Sequence, residues 1–254
     1  MSIAIAGNEI SEAARRRMLS VRGEPLFICN WDRALFIHYE VDPEVLQKSI
    51  PFELDLNDGR AFVSIVAFTM CGMRPRFGGQ LTTLLCKPIA THGLLNVRTY
   101  IRHNAEPGIY FMSEWLENRV SVVLGPRMFG LPYRFGRLDY RHAVDVGELR
   151  GRVEAREGML RYRGHLAKSN FTECESGSLS EFLLERYTAF TAYRGRKRFF
   201  RVWHEPWRQL PVDIDVVDDD LLSSTSDWWE SSSQISANYS AGASVWMGWP
   251  HKIN

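Results

Sequence analysis

The chain contains 254 residues, of which 45% are hydrophobic and 24% are charged, and its formal net charge is +1. This balance is typical of a globular protein whose core is large enough to need neither disulfides nor metals. A net charge near zero excludes the strong basic field of many nucleic-acid-binding and membrane-surface proteins, so we expect neither partner. We interpret residues 1–254 as one domain.

The cysteines and the N-terminus indicate the compartment. The four cysteines are scattered and form no Cys-x-x-Cys pair, which favours reduced thiols over a disulfide framework. The N-terminus has no basic leader, and no run approaches the roughly 20 apolar residues that a membrane span needs. We therefore expect a cytoplasmic protein.

The first third of the chain predicts two helices and a buried strand. A short helix is expected over residues 11–19, and Asp42 followed by Pro43 is typical of a helix N-terminus. Asp58-Gly59 indicates a hairpin turn. Residues 61–70 are nearly all apolar, with many β-branched and aromatic types, which predicts a strand buried on both faces.

Residues 97–116 are typical of an antiparallel hairpin. Residues 97–102 alternate in character, so that Arg98, Tyr100 and Arg102 share one face of a strand. A turn is expected at residues 106–108, followed by a strand over 109–116 that carries Glu114. Residues 117–129 favour a helix that ends at residues 130–132.

The rest of the chain is predicted to be mostly strands. Alternating charged residues predict an antiparallel meander over 134–144, 148–156 and 158–168. Ser178 to Glu181 is a capping box, and apolar spacing predicts a helix from there to Phe190. Strands are expected over 198–204, 212–217 and 236–249, with a loop at 223–234. Many strands and few short helices predict an α+β fold of largely antiparallel sheets, with a closed barrel as one form of it.

Sequence motifs for metals, phosphates and hydrolase nucleophiles are missing. The seven histidines include no pair at i, i+2 or i, i+4, and no glycine-rich phosphate loop or Gly-x-Ser-x-Gly occurs. The basic run 194–198 is followed by an acidic segment at 212–220, which favours a solvated hairpin end over nucleic-acid binding. We expect no metal and no cofactor.

Two segments have alternative interpretations. On an open sheet Arg98 faces solvent, whereas in a closed sheet it faces the lumen and becomes an anchor for an anion. A buried guanidinium without a partner is costly, so a lumenal Arg98 needs a carboxylate such as Glu114 or an anionic ligand. The segment from His204 to Trp207 either lines the mouth of a pocket or is a strand terminus with Trp207 in the core.

Three stretches together resemble the YqjF-like family of uncharacterised proteins, and the resemblance covers most of the chain. The stretches are Asp42-Pro43 through Asp58-Gly59-Arg60 to Met73-Arg74-Pro75-Arg76, then Leu95-Asn96-Val97-Arg98-Thr99-Tyr100, then Leu179 to Tyr187. The closing residues 238–250 also fit. That family is similar to the acetoacetate decarboxylase superfamily, which implies a largely antiparallel β cone or barrel with a central cavity.

Residues 124–134 resemble the decarboxylase segment that ends in Gly, a hydrophobic residue, Pro, Lys, Lys. In those enzymes the first lysine forms a Schiff base with the keto acid, and the second lowers its pKa. Here the two positions hold Tyr133 and Arg134, and no lysine lies between Lys87 and Lys168. Because a phenol cannot form an imine and a guanidinium stays protonated, we expect the fold without Schiff-base decarboxylation.

One functional hypothesis is an enzyme that reuses the cavity. It would be a lyase, isomerase or hydrolase acting on a small oxo acid or related compound. Tyr133 would be a general acid or oxyanion donor, and Glu114 or His204 would be the base. The residues expected to contact the substrate are Arg98, Arg134, Tyr100 and Trp207.

Two other hypotheses stay open. One is a non-catalytic pocket that binds a small acid or a hydrophobic metabolite. The other is an interaction protein whose Trp228-Trp229 loop packs on a partner. The partner is a small molecule in the first two hypotheses, and a homo-oligomer is compatible with all of them.

Overall fold

Short helices separate groups of strands along the chain. The computed structural model describes residues 5–166 and 170–253. No helix within these ranges combines the length and the apolar character that crossing a bilayer requires. The helices are α1 (Ile5–Leu19), α2 (Pro43–Ser49), α3 (Gly79–Cys86), α4 (Arg119–Met128), α5 (Leu179–Leu184) and α6 (Asp220–Ser223), with 3₁₀ turns at Lys87–Ile89 and Trp229–Ser231.

The strands make up most of the described residues. The first seven are β1 (Phe27–Val41), β2 (Glu53–Leu54), β3 (Ala61–Pro75), β4 (His92–His103), β5 (Glu106–Leu116), β6 (Tyr133–Ala143) and β7 (Glu148–Ala155). The others are β8 (Gly158–His165), β9 (Thr188–Tyr193), β10 (Arg196–His204), β11 (Gln209–Pro211), β12 (Asp213–Asp218), β13 (Ser232–Met247) and β14 (His251–Lys252).

Local sequence explains several element boundaries. The Asp42 carboxylate accepts a hydrogen bond from the Glu44 backbone N–H at 2.8 Å, and Pro43 occupies the first position of α2. Asp58 and Gly59 both have positive φ, of 52° and 76°, as a two-residue hairpin turn requires. The predicted helix start at Asp42 and the predicted turn at Asp58-Gly59 are therefore confirmed.

Seven strands close into a ring. Their order is β1, β3, β4, β5, β9, β10 and β13, and β13 pairs with β1 again. All these neighbours are antiparallel except β5 and β9, which run parallel. A parallel pairing also joins β5 to β6, from which β7, β8 and β12 extend the sheet. The predicted α+β architecture of largely antiparallel strands is confirmed, and the expected cone or barrel takes the form of this ring.

Two hydrophobic cores lie on the two faces of the ring. The outer faces of β1, β3 and β4 pack against α2 and against the sheet of β6, β7, β8 and β12. The other core includes side chains of all seven strands, which lie on the inner face of the ring, and α5 contributes Leu183 and Leu184 to it. One interior residue from each strand in ring order is Phe36, Phe62, Leu94, Phe111, Ala189, Phe200 and Val245.

Two boundaries differ from the predictions. The turn between β4 and β5 lies at Asn104 and Ala105, which both have positive φ, and Glu106 already belongs to β5. The helix that Ser178 caps ends at Leu184, whereas spacing predicted it to continue to Phe190. Thr188 to Tyr193 instead pairs with β10 and β5, because an open strand position in the ring outweighs a helical pattern.

The loop with two tryptophans does not form an exposed patch. Trp228 is 1% exposed and belongs to the outer core, and the Trp229 ring lies 5.0 Å from the Tyr39 ring. The interaction-protein hypothesis therefore loses its main observation.

The meander and the cysteines are close to expectation. The meander of β6, β7 and β8 is confirmed, although the end predicted at Lys168 lies outside the described residues. All four cysteines have free thiols, and two of them, Cys29 and Cys174, are buried.

Candidate functional site

Polar side chains form two rows across the inner face of the ring. Each row follows residues that are directly opposite one another on neighbouring strands, about 4.8 Å apart. The first row is His38 on β1, Ser64 on β3 and Arg98 on β4. The second row is Asn96 on β4, Glu114 on β5 and Tyr133 on β6.

Arg98 faces inward and has no carboxylate partner. The residue is 5% exposed, and its Nη2 donates to the Leu183 carbonyl oxygen at 3.2 Å. Its Nε has no acceptor, and within the described ranges no Asp or Glu oxygen lies within 4.0 Å of the guanidinium. Burial lowers the pKa of Arg98, which reflects the free-energy cost of holding this charge away from water.

The expected pairing of Arg98 with Glu114 is not formed. A bulge between Val97 and Arg98 shifts the register, so that Arg98 is opposite Phe111 on β5. Glu114 is opposite Asn96 instead and accepts a hydrogen bond from it. Periodicity alone could not predict this, because a single bulge changes which residues face each other.

Arg186 shows that a nearby buried guanidinium is paired. Its Nη1 lies 2.8 Å from Asp55 Oδ2, and Asp55 Oδ1 also accepts from Arg102 at 2.7 Å. The Arg186 guanidinium stacks on the Phe182 ring at 4.0 Å from its centroid. Of these two buried guanidiniums, Arg186 has a carboxylate partner and Arg98 has none among the described residues.

His38, Ser64 and Tyr100 form a buried chain of hydrogen bonds. His38 Nδ1 lies 2.7 Å from Ser64 Oγ, and Ser64 Oγ lies 2.5 Å from the Tyr100 hydroxyl. The Tyr100 hydroxyl also donates to the Leu183 carbonyl at 2.9 Å, so α5 closes the chain. Burial, followed by the charge of Arg98, lowers the pKa of His38 to about 3. Tyr100 was predicted to contact the substrate, but its hydroxyl is already hydrogen-bonded to Ser64 and to the Leu183 carbonyl.

Glu114 and Tyr133 are neighbours at the start of β6. Glu114 Oε1 accepts from Asn96 Nδ2 at 3.3 Å, and Glu114 Oε2 has no partner in the described parts of the chain. Burial raises the pKa of Glu114 well above its usual value. Burial, followed by the Glu114 carboxyl, does the same for the pKa of Tyr133. Glu114 was predicted as a base, but this environment favours a protonated carboxyl that donates.

His204 and Trp207 also lie on the inner side. The Nδ1–H of His204 donates to the Glu205 carbonyl at 2.8 Å and lies 4.0 Å from Glu185 Oε2. The His204 ring stacks on Tyr187 with centroids 4.6 Å apart, and Trp207 lies 5.2 Å away. Burial lowers the pKa of His204, so the ring is neutral near pH 7. Trp207 is 1% exposed, which places it in the interior core.

Arg134 is not brought to these residues. Strand alternation turns it away from Tyr133, so its guanidinium packs over the Trp115 ring at 5.6 Å. Its Nη1 lies 3.4 Å from Glu157 Oε1, and its side chain is 38% exposed. The expectation that Arg134 contacts a substrate with Tyr133 does not fit this geometry.

His38, Ser64 and Asn96 lie on the inner face, although none of them was predicted there. His38 was considered only as a metal ligand, and Ser64 sits in the run of residues 61–70 that was described as nearly all apolar. Each is a single polar residue within an apolar stretch, and a buried polar group needs a hydrogen-bond partner or a function. This isolation is the sequence feature that could have identified them. Which strands bring them together could not be predicted without the register.

The surface also contains cavities that carry charged residues. One, of about 670 Å³, lies over the sheet of β6, β7 and β8 and includes Arg141, Arg152 and Arg163. These arginines are exposed and form ion pairs, such as Arg163 with Asp215 at 3.0 Å, so water and carboxylates already satisfy them. In the described ranges no group of three His, Cys, Asp or Glu could hold a metal ion.

Comparison with known proteins identifies the family. The profile of DUF2071, a family of uncharacterized conserved proteins, matches residues 29–243. The chain belongs to the DUF2071 family. This DUF2071 protein is also 29% identical over 196 residues to the uncharacterized protein YqjF of Bacillus subtilis, covering 74% of this chain and 78% of YqjF. The predicted YqjF-like resemblance is confirmed.

Solved structures show which fold this DUF2071 protein has. MppR, an enduracididine biosynthesis enzyme solved with HEPES buffer, has a TM-score of 0.65 at 12% identity, covering 91% of this chain and 88% of MppR. An acetoacetate decarboxylase from Legionella pneumophila has a TM-score of 0.60 at 13% identity, covering 89% and 87%. At such identities the likeness shows the fold alone, which is that of acetoacetate decarboxylase-like enzymes.

Proposed function

We propose that the interior of the ring binds a small carboxylic acid of the oxo-acid type, with Arg98 as the anchor for its carboxylate. The observation that carries this proposal is the buried Arg98 guanidinium, which lacks a carboxylate partner among the described residues. A buried charge without a counterion is strongly unfavourable. A carboxylate matches the paired N–H donors of a guanidinium and would provide that counterion.

The proposed chemistry is a reaction of the lyase, isomerase or hydrolase type that needs no Schiff base. Burial raises the pKa of Glu114 and of Tyr133, which favours the protonated form of both groups. We expect each to donate its proton to an oxo group that develops negative charge. Neutral His204, on the same inner side, is the proposed base.

The fold comparison supports the class of ligand. MppR has also been solved in complex with pyruvate, a small oxo acid, at a TM-score of 0.63 and 12% identity to this chain. Another protein of this fold thus binds such an acid, and Arg98 provides a group here that would retain one.

The alternative is a non-catalytic binder of a small acid or hydrophobic metabolite. Its supporting observation is how fully the inner polar residues are enclosed, because His38, Glu114 and His204 are each 0–2% exposed. A tightly enclosed site suits slow exchange of a retained ligand better than rapid turnover. Wild-type protein that binds an acid without consuming it would favour this alternative.

The test uses Arg98→Met, which removes the charge and keeps much of the side-chain volume. Without ligand, this variant should have a free energy of unfolding about 1–3 kcal/mol higher than wild type, because an unpaired buried charge is gone. It should also lose the rise in Tm that millimolar pyruvate, lactate or propionate gives the wild type in a thermal-shift assay.

Arg186→Met is the matched control, because that guanidinium is similarly buried but paired with Asp55. The free energy of unfolding of this variant should be about 3 kcal/mol lower than that of the wild type, because the buried Asp55 carboxylate loses one of its two arginine partners. The proposal is wrong if none of the three acids stabilises the wild type. It is also wrong if Arg98→Met responds to the acids as the wild type does.

A further inference from the structure

The helix α3 has an apolar face that lies open to solvent. Its side chains Leu81, Leu84 and Leu85 are 68%, 63% and 71% exposed. Phe77, just before the helix, is 59% exposed, and no residue of α3 is buried. Single exposed leucines are ordinary in globular proteins, whereas a cluster of large apolar side chains marks an interaction surface.

The two threonines of α3 keep their hydroxyl protons within the segment. Thr82 Oγ1 lies 3.1 Å from the carbonyl oxygens of Phe77 and Gly79. Thr83 Oγ1 also lies 3.1 Å from the Gly79 carbonyl oxygen. The exposed face therefore offers few hydrogen-bond donors, whereas a protein interface carries about one hydrogen bond per 100–200 Å².

The cleft beneath α3 is basic. It has a volume of about 560 Å³ and lies between α3 and the end of β3. Its charged side chains are Arg74, Arg76 and Lys87, and residues 72–93 contain no Asp or Glu. Across the described parts of the chain, no carboxylate oxygen lies within 4.0 Å of these three cations. The overall net charge of +1 thus conceals a local excess of positive charge.

The helix α4 lies at the same end of the ring as α3. The pairings of β4 with β3 and with β5 bring the end of β3, the start of β4 and the end of β5 together. Asn118, which caps α4, donates from Nδ2 to the Pro88 carbonyl oxygen at 2.5 Å. The buried residues of α4 are the small Ser121 and Gly125, while larger apolar side chains such as Val123, at 52%, are exposed.

Anionic lipids suit this end of the ring better than a second copy of the chain does. A symmetric dimer brings the same patch of both protomers together, so cations would face cations with no carboxylate between them. A layer of anionic lipids provides apolar chains for the leucines and phosphates for the basic side chains. Helices with leucine or phenylalanine on one side and basic residues beside them lie in the headgroup region of such layers.

We infer that the end of the ring formed by α3 and α4 docks on an anionic membrane surface. The leucines of α3, together with Phe77, enter the headgroup layer without crossing the bilayer. Arg74, Arg76 and Lys87 bind the lipid phosphates.

The test measures co-sedimentation with vesicles of phosphatidylcholine alone and with vesicles of equal parts phosphatidylcholine and phosphatidylglycerol. Wild-type protein should bind the anionic vesicles about a hundredfold more tightly, as three basic side chains near the surface provide. The double variant Leu81→Ser/Leu85→Ser should bind them about tenfold more weakly than the wild type, because it buries less apolar surface.

Val146→Ser is the matched control, because Val146 is 66% exposed in the turn between β6 and β7. This variant should bind both kinds of vesicle as the wild type does. All substituted residues are exposed, so urea unfolding should show wild-type stability for both variants. Neither vesicle measurement depends on what the ring interior binds.

Three outcomes would overturn the inference. One is a wild type that does not bind the anionic vesicles, or that binds both kinds equally. Another is a double variant that binds like the wild type. The third is a wild type that analytical ultracentrifugation without lipid shows to be a dimer, with a monomeric double variant, because a second copy would then cover α3.

Hydrogen–deuterium exchange of the wild type is a measurement that needs no variant. Anionic vesicles should slow exchange of the backbone amides of residues 77–89, because lipid contact holds α3 in place. The amides of β7 and β8 should exchange as they do without lipid. Unchanged exchange over residues 77–89 would contradict the docking of α3.

Discussion

Glu114 is a carboxyl group that the fold keeps away from water. It is 2% exposed, and its only hydrogen bond among the described residues comes from an amide, so nothing nearby stabilises the ionised form. The pKa of Glu114 is therefore raised in the folded protein. The folded protein therefore holds the Glu114 proton more tightly than the unfolded chain does. As a result, the free energy of unfolding decreases as the pH rises above the usual pKa of a glutamate.

Glu114→Gln should remove that pH dependence. Above about pH 4.5, the Glu114 proton is lost from the unfolded wild type but is kept in the folded wild type. The free energy of unfolding of the wild type therefore falls relative to that of Glu114→Gln, by about 1.4 kcal/mol per pH unit. The fall continues until the pH reaches the raised pKa. Urea unfolding at pH 5.5, 6.5 and 7.5 should show an increasing advantage of Glu114→Gln over wild type.

Glu53→Gln is the control for this effect, because Glu53 is an exposed carboxylate on β2. Its stability difference from wild type should be the same at all three pH values. A constant difference for Glu114→Gln as well would show that Glu114 is ionised in the folded protein.

Single residues were predictable where chemistry dictates their behaviour. An inward Arg98 was one of two open alternatives, and Tyr133 was a candidate site residue only through a resemblance. The sequence could not show that Arg134 faces Trp115, or that His38 joins Ser64 and Arg98 in one row. Those facts depend on register between strands that are distant in the chain, which local patterns do not encode.

The contact between α4 and β6 positions Tyr133. A Cβ added to Gly125 of α4 would lie 2.4 Å from Cδ2 and Cε2 of the Tyr133 ring, so the helix passes directly against that ring. Gly125 is therefore needed for close approach, although glycine is a poor helix former.

Gly125→Ala should destabilise the protein by about 1–3 kcal/mol because the Tyr133 ring must move. Helix propensity alone predicts the opposite, a gain of about 1 kcal/mol. Gly93→Ala on β4 is the control, since its Cβ would meet Leu138 at an ordinary 3.5 Å. Urea unfolding of both variants checks this, and a Gly125→Ala variant as stable as wild type would contradict the proposed packing.

Elements were predictable where a capping or turn residue marks them. Asp42, Asp58-Gly59 and Ser178 each begin or reverse an element where the sequence indicated. The end of α5 was not predictable. Residues 187–190 keep a helical apolar spacing, yet Thr188 to Tyr193 form β9 and pair with β10 in the ring. In that stretch long-range strand pairing outweighs local preference.

The lysines that the structure describes lie away from the ring interior. Among the described residues these are Lys48, Lys87, Lys197 and Lys252, all exposed or half-buried. Lys197 packs its ammonium group over the Phe52 ring on the outer side. Lys168 lies outside the described residues.

Treatment with acetoacetate and borohydride should leave the mass of the wild-type protein unchanged. Reduction traps an imine only where a neutral amine meets the ketone, and a phenol at position 133 cannot provide one. Tyr133→Lys supplies an amine at that position and should gain a single adduct in intact-protein mass spectrometry. An adduct on the wild type would overturn the claim that no Schiff base forms.

At the scale of the whole molecule, patterning predicted the class of architecture, and the resemblance to acetoacetate decarboxylases implied its closure. Strand-rich patterning with few short helices indicated an α+β fold, which is observed. The ring closes because β13 pairs along nearly the full length of β1. No local pattern specifies that pairing, so the expectation of a closed cone or barrel depended on the resemblance.

The seam between β1 and β13 joins segments about 200 residues apart. During synthesis the ribosome must release β13 before β1 gains its second neighbour, so β1 spends most of translation with an unpaired edge. Such an edge invites association with other nascent chains. Because this closure is late and non-local, we expect folding to be slow and the open edge of β1 to be the part of the chain most exposed to aggregation until β13 pairs with it.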